Sequence, residues 1–198
     1  MTKSKHEITR ADIIPMADYE KIRKENKQKL IAIKKDRRIA VGPHATFYFE
    51  NYETMWSQIH EMLYIERGGE AQITDELSAY NPLIPNGSEL VATFMIEIDD
   101  PVRRDFMLRQ LGHVEEKIYV SINGEKTYAV PEQEVERTTE DGKTSAIHFL
   151  HFPLSDTQKQ GLKSEKSEIV IGVEHDKYGH MARFSAANQA ALALDLSD

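Results

Sequence analysis

Polar residues that could carry chemistry are concentrated between Ala40 and Ile98, inside segments that otherwise have the composition of a protein core. The polar members of this stretch are His44, Gln58, Glu61, Glu66, Arg67, Glu76 and Asn81. A carboxylate at the margin of a core can have a raised pKa or pair with an arginine. This density of polar groups indicates a site supported by packing, although it matches no catalytic signature and leaves open whether the protein is an enzyme.

Four of these residues are predicted to bind a ligand. Glu61 shares a helix face with Gln58 and borders the apolar stripe of that helix, and Arg67 falls at its C-terminal end. Glu76, on the following helix, can pair with Arg67 across the Gly68-Gly69 turn, which is the structural alternative to a role in binding. Asn81 precedes Pro82 and can end the helix by bonding local backbone groups. The residues predicted to bind a ligand are Glu61, Arg67, Glu76, Asn81 and, after a late strand, Tyr178.

Histidines offer a second kind of site. No HExxH is present, and His148 and His151 lie three residues apart on a predicted strand, so their side chains point to opposite faces. A scattered site of His148, His175 and a carboxylate such as Glu61 would suit a divalent metal such as zinc, iron or manganese. The alternative is that each histidine is an ordinary core or surface residue.

The elements that must position these groups mix helices with hairpins. The predicted segments are a helix at 17–35, strands at 38–41 and 45–50, helices at 52–67 and 71–80, a strand at 89–98, a helix at 101–111, a hairpin around Asn123-Gly124, an exposed loop at 131–143, strands at 145–152, 168–173 and 181–184, and helices at 155–162 and 185–196. The order lacks the regular strand–helix alternation of a doubly wound sheet. We therefore expect a single α+β domain at 9–198, mainly an antiparallel sheet with several packed helices, preceded by a flexible segment at 1–8.

Composition removes several classes of function. The 198 residues contain no cysteine, which excludes disulfides, thiolate zinc sites and a cysteine nucleophile. The formal charge of −8 disfavours nucleic acid as a partner, and no apolar run approaches the length of a membrane span. The N-terminus lacks an apolar signal region, so we expect a cytoplasmic protein. The predicted first helix carries a basic face that includes Lys24, Lys27 and Lys35, which is typical of a solvated surface but keeps nucleic-acid binding as an alternative.

Several segments together resemble a known family. They are GPHATFYFE, QIHEMLYIER, DELSAYNPLIPNGSELVATFMIEI, KTSAIHFLHF and EHDKYGH, which span nearly the whole chain from about Ile8 to Leu196. This pattern resembles a bacterial family of unknown function, number 3501, and AYNPLIP and IHFLHF are its more specific parts. The resemblance implies genes near those of rubrerythrin-like proteins and of flavin or iron–sulfur oxidoreductases. It also implies that the functional positions of the family correspond in this chain to Glu61, Arg67, Glu76, Asn81, His148, His175 and Tyr178. At the position of His151 the family often has arginine.

We expect a cytoplasmic accessory protein, and the family resemblance implies a link to redox or oxidative-stress metabolism. It would bind a protein partner or a small ligand between the Gln58–Tyr80 helical hairpin and the sheet that carries Met95 and His148. A metal-dependent enzyme and a nucleic-acid-binding protein are the two alternatives. Self-association through an exposed strand edge is a further expectation.

Overall fold

Two antiparallel β-sheets lie at the centre of the structure. The structure is a computed structural model and describes residues 5–132, 137–139 and 141–197. Within these residues the helices are α1 (Met16–Lys35), α2 (Tyr52–Glu66), α3 (Gly69–Tyr80), α4 (Pro101–Gln110), α5 (Asp156–Lys163) and α6 (Ala186–Ala193). The strands are β1 (Arg38–Val41), β2 (Ala45–Phe49), β3 (Glu89–Ile96), β4 (Ile118–Ile122), β5 (Glu125–Tyr128), β6 (Val130–Pro131), β7 (Ile147–Pro153), β8 (Ile169–His175) and β9 (Tyr178–Arg183). Short 3-10 turns occur at Arg10–Asp12, Asn81–Leu83 and Val114–Lys117.

The two sheets pack face to face. The first has the strand order β1-β2-β3-β7-β6 and the second the order β5-β4-β8-β9, and neighbouring strands are antiparallel in both. Side chains alternate along each strand, so Phe94 and Leu150 of the first sheet meet Val120 and Ile171 of the second in one apolar core. The predicted α+β class with mainly antiparallel sheet is confirmed.

Helices cover the outer face of the first sheet. Val91 and Phe149 point away from the second sheet and pack with Ile59 and Leu63 of α2 in a second apolar cluster. Helix α1 lies against α2 in the antiparallel sense, since Tyr19 contacts Tyr64 near one end and Asn26 bonds Ser57 towards the other. The layers are therefore sheet, sheet and helices.

Capping residues explain where several helices begin. Asn51 accepts a hydrogen bond from the Thr54 backbone N–H at 2.9 Å at the start of α2, and Ser155 and Ser185 cap α5 and α6 in the same way. Asp100 caps α4, and Pro101 occupies its first position, where a backbone N–H has no partner in the helix. These local signals place most element boundaries within a few residues of the predicted ones.

Of the segment 1–8 that was predicted to be flexible, residues 1–4 lie outside the described residues, and residues 6 and 8 make defined contacts. Ile8 is 1% exposed and belongs to the cluster beneath α2, and its backbone N–H and C=O both bond the Asn81 side chain, at 2.8 and 2.9 Å. His6 Nδ1 lies 2.6 Å from the Pro85 carbonyl oxygen. The chain is thus held against the helical layer from at least residue 6, because burial of Ile8 offsets the cost of ordering it. Within the described residues, no helix combines the length and the apolar character needed to cross a membrane.

Candidate functional site

An open cleft of about 590 Å³ lies between the N-terminal segment and the α2–α3 hairpin. Ile13, Leu63 and Ile73 are buried side chains that form its apolar base. The complete lining is Arg10, Ile13, Ile14, Pro15, Met16, Ala17, Glu20, Leu63, Tyr64, Arg67, Gly69, Glu70 and Ile73. A mainly apolar concavity of this size with a few polar groups is typical of sites for small molecules.

Arg67 lies at this cleft in an unusual backbone conformation. It ends α2 with φ 55° and ψ 34°, in the left-handed region, and its N–H donates to the Leu63 carbonyl oxygen at 3.2 Å. Glycine usually takes this position, because a side chain there costs about 1–2 kcal/mol. Glycines follow immediately at 68 and 69, so the chain keeps an arginine where glycine would fit without strain. Such an outlier suggests a role for the side chain itself.

The Arg67 guanidinium is available to a ligand. It is exposed, and within the part of the chain that the structure describes it forms no hydrogen bond or ion pair. Arg10 at the same cleft is instead engaged, since its Nη2 donates to Glu70 Oε2 at 2.8 Å. Tyr64 donates its hydroxyl proton to Glu20 Oε1 at 3.0 Å at another edge of the cleft. Arg67 is therefore the cation of the cleft that has no carboxylate partner among the described residues.

Glu61 faces α1 and is already fully engaged. Its carboxylate accepts two hydrogen bonds from Arg23 at 2.8 Å each and one from the Tyr19 hydroxyl at 2.8 Å, with Lys27 Nζ at 3.3 Å. The hydrogen bonds from Arg23 lower the pKa of Glu61 to about 2. Glu61 is thus a carboxylate that joins α1 to α2. One of the two states considered from the sequence was a carboxylate with a raised pKa at the margin of the core, and the observed pKa shift is in the opposite direction.

Two further predicted site residues on the hairpin make local or clamping contacts. Glu76 accepts a hydrogen bond from Gln72 at 2.9 Å, and the expected pair with Arg67 does not occur among the described residues. Asn81 bonds the backbone of Ile8, far away in sequence, in place of the local backbone expected from its position before Pro82. Asn81 therefore attaches the N-terminal segment, which in turn forms one wall of the cleft.

Tyr178 joins the two sheets. Its hydroxyl accepts hydrogen bonds from the His44 and Ala45 backbone N–H groups, both at 2.9 Å, and donates to the Val41 carbonyl oxygen at 2.8 Å. The side chain is 4% exposed, and burial raises its pKa. These three bonds hold the β1–β2 turn against β9, so the contacts of Tyr178 are those of a packing residue.

The two histidines proposed as metal ligands lie on β7 and at the end of β8. His148 is fully buried, with Nε2 at 2.9 Å from the Ser145 carbonyl oxygen and Nδ1 at 3.7 Å from Glu115 Oε2. His175 has Nε2 at 3.3 Å from the Gly112 carbonyl oxygen.

The structure does not bring His148, His175 and Glu61 together, because Glu61 lies between α1 and α2 on the opposite side of the first sheet from the sandwich core. Across the described ranges, no group of three His, Asp or Glu side chains could hold a metal ion. Burial lowers the pKa of His148, which favours its neutral form. The metal site inferred from sequence therefore gains no support from the geometry.

Ion pairs engage much of the basic face of α1. Lys21 bonds Asp18 and Lys29 bonds Glu25, both at 2.7 Å, while Arg23 and Lys27 share Glu61. Exposed pairs of this kind reduce the charge available to a phosphate backbone. Nucleic-acid binding through this helix stays a prediction.

A second cleft, of about 680 Å³, lies where α1 and α6 end and α2 begins. Two of its lining residues, Arg37 and Asp195, are buried and form an ion pair with each other, with Arg37 Nη1 at 3.0 Å from Asp195 Oδ2. Because these charges already satisfy one another, this cleft offers less to a ligand than the one beside Arg67.

Sequence reasoning selected Arg67 but missed the other residues of the cleft. Ile13, Ile14 and Met16 belong to a short N-terminal segment that forms one wall of the cleft. The available signal was the apolar Ile13-Ile14-Pro15-Met16 run in an otherwise polar stretch, together with Arg67 directly before two glycines. The expected recess between the hairpin and the sheet is filled by side chains such as Ile59 and Val91, whereas the residues lining the observed cleft belong to neither sheet.

The protein is thus an α+β sandwich with a layer of helices on one sheet, and the candidate cleft lies on that layer. The chain belongs to the family described as "Protein of unknown function (DUF3501)", whose model matches residues 7–196. It is similar to a solved structure, a novel protein of unknown function from Burkholderia pseudomallei K96243, with 37% sequence identity and a TM-score of 0.89. That similarity covers 96% of this chain and 99% of the other. No curated protein matches the chain.

Proposed function

We propose that this protein is a non-catalytic binding module whose cleft between the N-terminal segment and the α2–α3 hairpin holds a small organic anion. The observation that carries the proposal is the guanidinium of Arg67, which has no partner among the described residues and lies beside an apolar base, on a residue whose backbone is left-handed. The apolar part of the ligand would lie on Ile13, Leu63 and Ile73. Its anionic group would accept hydrogen bonds from Arg67, since a guanidinium matches the planar geometry of carboxylates.

The wider role is part of the same proposal. A cytoplasmic location, an accessory part in redox or oxidative-stress metabolism and self-association are expectations from composition and from the family resemblance. A binding module fits them because such a protein can deliver or sense a small anion without carrying out a reaction. Arg67 is the residue from the predicted set that supports this role through its position in the structure.

Fluorescence titration with anilinonaphthalene sulfonate tests the proposal, because this probe combines an aromatic body with one anionic group. Ala17 is an exposed residue of the cleft lining, and Ala17→Trp would fill the space above the apolar base. We expect saturable binding to the native chain and at least about a tenfold loss of affinity in Ala17→Trp. Ala187→Trp is the matched control, since Ala187 is exposed on α6 and does not line the cleft.

Two results would contradict the proposal. One is the absence of saturable binding by the native protein. The other is an equal affinity in Ala17→Trp and Ala187→Trp, which would place the probe elsewhere on the surface.

A further inference from the structure

The cleft continues into a basic groove on the surface of α1. This groove, of about 250 Å³, is lined by Glu20, Arg23, Lys24, Lys27 and Tyr64. Glu20 and Tyr64 also line the cleft, and the hydrogen bond between them, at 3.0 Å, marks the boundary of the two spaces. Glu20 is exposed, so its side chain can leave this position without opening the core.

The groove carries more positive than negative charge. Arg23 and Lys27 share one carboxylate, that of Glu61, and the Arg23 guanidinium also lies over the Tyr64 ring at 4.5 Å from its centroid. Lys24 is exposed and forms no ion pair with any other described residue. Even with Glu20 counted, three cations face two carboxylates, which leaves the groove able to hold one further anionic group.

Arg67 lines the cleft and Lys24 lines the groove, so the two cationic regions lie on either side of the Glu20–Tyr64 hydrogen bond. Arg67 lies at the cleft, and Lys24 follows the cleft residue Ala17 by seven positions along α1, a distance of about 10 Å along the helix axis. The apolar base with Ile13 and Leu63 belongs to the cleft. A ligand that used the whole space would therefore be elongated, apolar in the middle and anionic at both ends.

We propose that the ligand of this site is a dianion with an apolar middle, of the class of linear dicarboxylates, bound by Arg67 at one end and by Lys24 and Lys27 at the other. This inference rests on the proposed function, which requires only one anionic group at Arg67. It adds the second anchor and the chemical class of the ligand. Glu20 stands beside the path of the ligand and opposes its charge, so neutralising Glu20 should strengthen binding.

Calorimetric titration with decanedioate and decanoate tests the inference, because the two differ only in the second carboxylate. We expect decanedioate to bind the native protein about fivefold more tightly than decanoate, the upper end of the gain from one exposed ion pair. Lys24→Gln should remove most of this difference and leave decanoate binding unchanged. Lys29→Gln is the matched control, since Lys29 is on the same helix but lines neither space. Glu20→Gln should increase the affinity for decanedioate.

The outcomes separate the two proposals. If decanoate and decanedioate bind with the same affinity, or if Lys24→Gln and Lys29→Gln lower the preference equally, the second anchor is refuted while the single-anion cleft stands. If neither compound binds, both proposals are refuted. Retention of the fivefold preference in Lys24→Gln would also overturn the inference.

Discussion

Replacing Arg67 with glycine should stabilise the protein and weaken its ligand binding at the same time. The position has φ 55°, where a side chain is strained and glycine is not. Among the described residues, the Arg67 guanidinium forms no hydrogen bond or ion pair that the change would remove. Stability and binding should therefore move in opposite directions, which is the behaviour of a residue retained for function.

The magnitude follows from two opposing effects. Relief of the left-handed conformation contributes about 1–2 kcal/mol, and the greater freedom of glycine in the unfolded chain takes back about 0.4–1 kcal/mol. We expect a net gain of about 1 kcal/mol in the free energy of unfolding. For a chain of this length this corresponds to a rise in melting temperature of about 2–4 °C.

Urea unfolding followed by circular dichroism measures the gain in stability of Arg67→Gly. The anilinonaphthalene sulfonate titration measures its loss of affinity. His113 provides the matched control, because it also has a left-handed backbone, with φ 59°, and does not line the cleft. His113→Gly should be stabilised by a similar amount and keep its affinity for the probe. Arg67→Ala should lose affinity without becoming more stable, because alanine retains the strain.

Two outcomes would refute the reasoning about Arg67. If Arg67→Gly is less stable than the native protein, the side chain makes a stabilising contact and its conformation is not evidence of a binding role. If Arg67→Gly is stabilised but binds the probe with native affinity, the guanidinium has no part in the cleft.

Two predictions concern charged groups away from the cleft. Glu61 has a pKa of about 2 in the fold against 4.5 for a free side chain, so its contribution is present above pH 4.5 and is lost as the pH falls towards 2. Glu61→Gln should therefore cost about 1–2 kcal/mol in urea unfolding at neutral pH and progressively less at about pH 3, and a cost that does not change with pH would contradict this. Arg37→Met should cost about 3–5 kcal/mol, because it leaves Asp195 buried without its partner. The double variant Arg37→Met, Asp195→Leu should recover most of that loss, and equal stability of the single and double variants would refute this view of the pair.

Local patterns were sufficient for most of the architecture. Asn51, Asp100 and Ser185 each precede a helix and cap it in the structure, because capping depends on atoms only a few residues away. The sequence predicted a strand at 145–152 with His148 and His151 on opposite faces, and in the observed strand Ile147–Pro153 the buried member of the pair is His148. The α+β class followed from the order of such elements.

The candidate site depended on contacts that local patterns do not contain. Glu61 was selected for its position beside an apolar stripe, but Arg23, thirty-eight residues earlier, determines its state. No local pattern identifies Glu115 as the residue whose carboxylate faces His148. The side chain of Asn81 bonds the backbone of Ile8, a contact that joins residues far apart in sequence.

The amino-acid order alone therefore determined the helices, the strands and their class, since hydrophobic period, caps and turns act over short distances along the chain. It also identified Arg67 as a polar residue at a helix end. Only the tertiary structure decided which polar groups meet, because ion pairs and cleft walls join residues that are distant in sequence. That packing left Arg67 open to solvent beside an apolar cleft while it engaged Glu61, Asn81 and Tyr178 in holding the fold together.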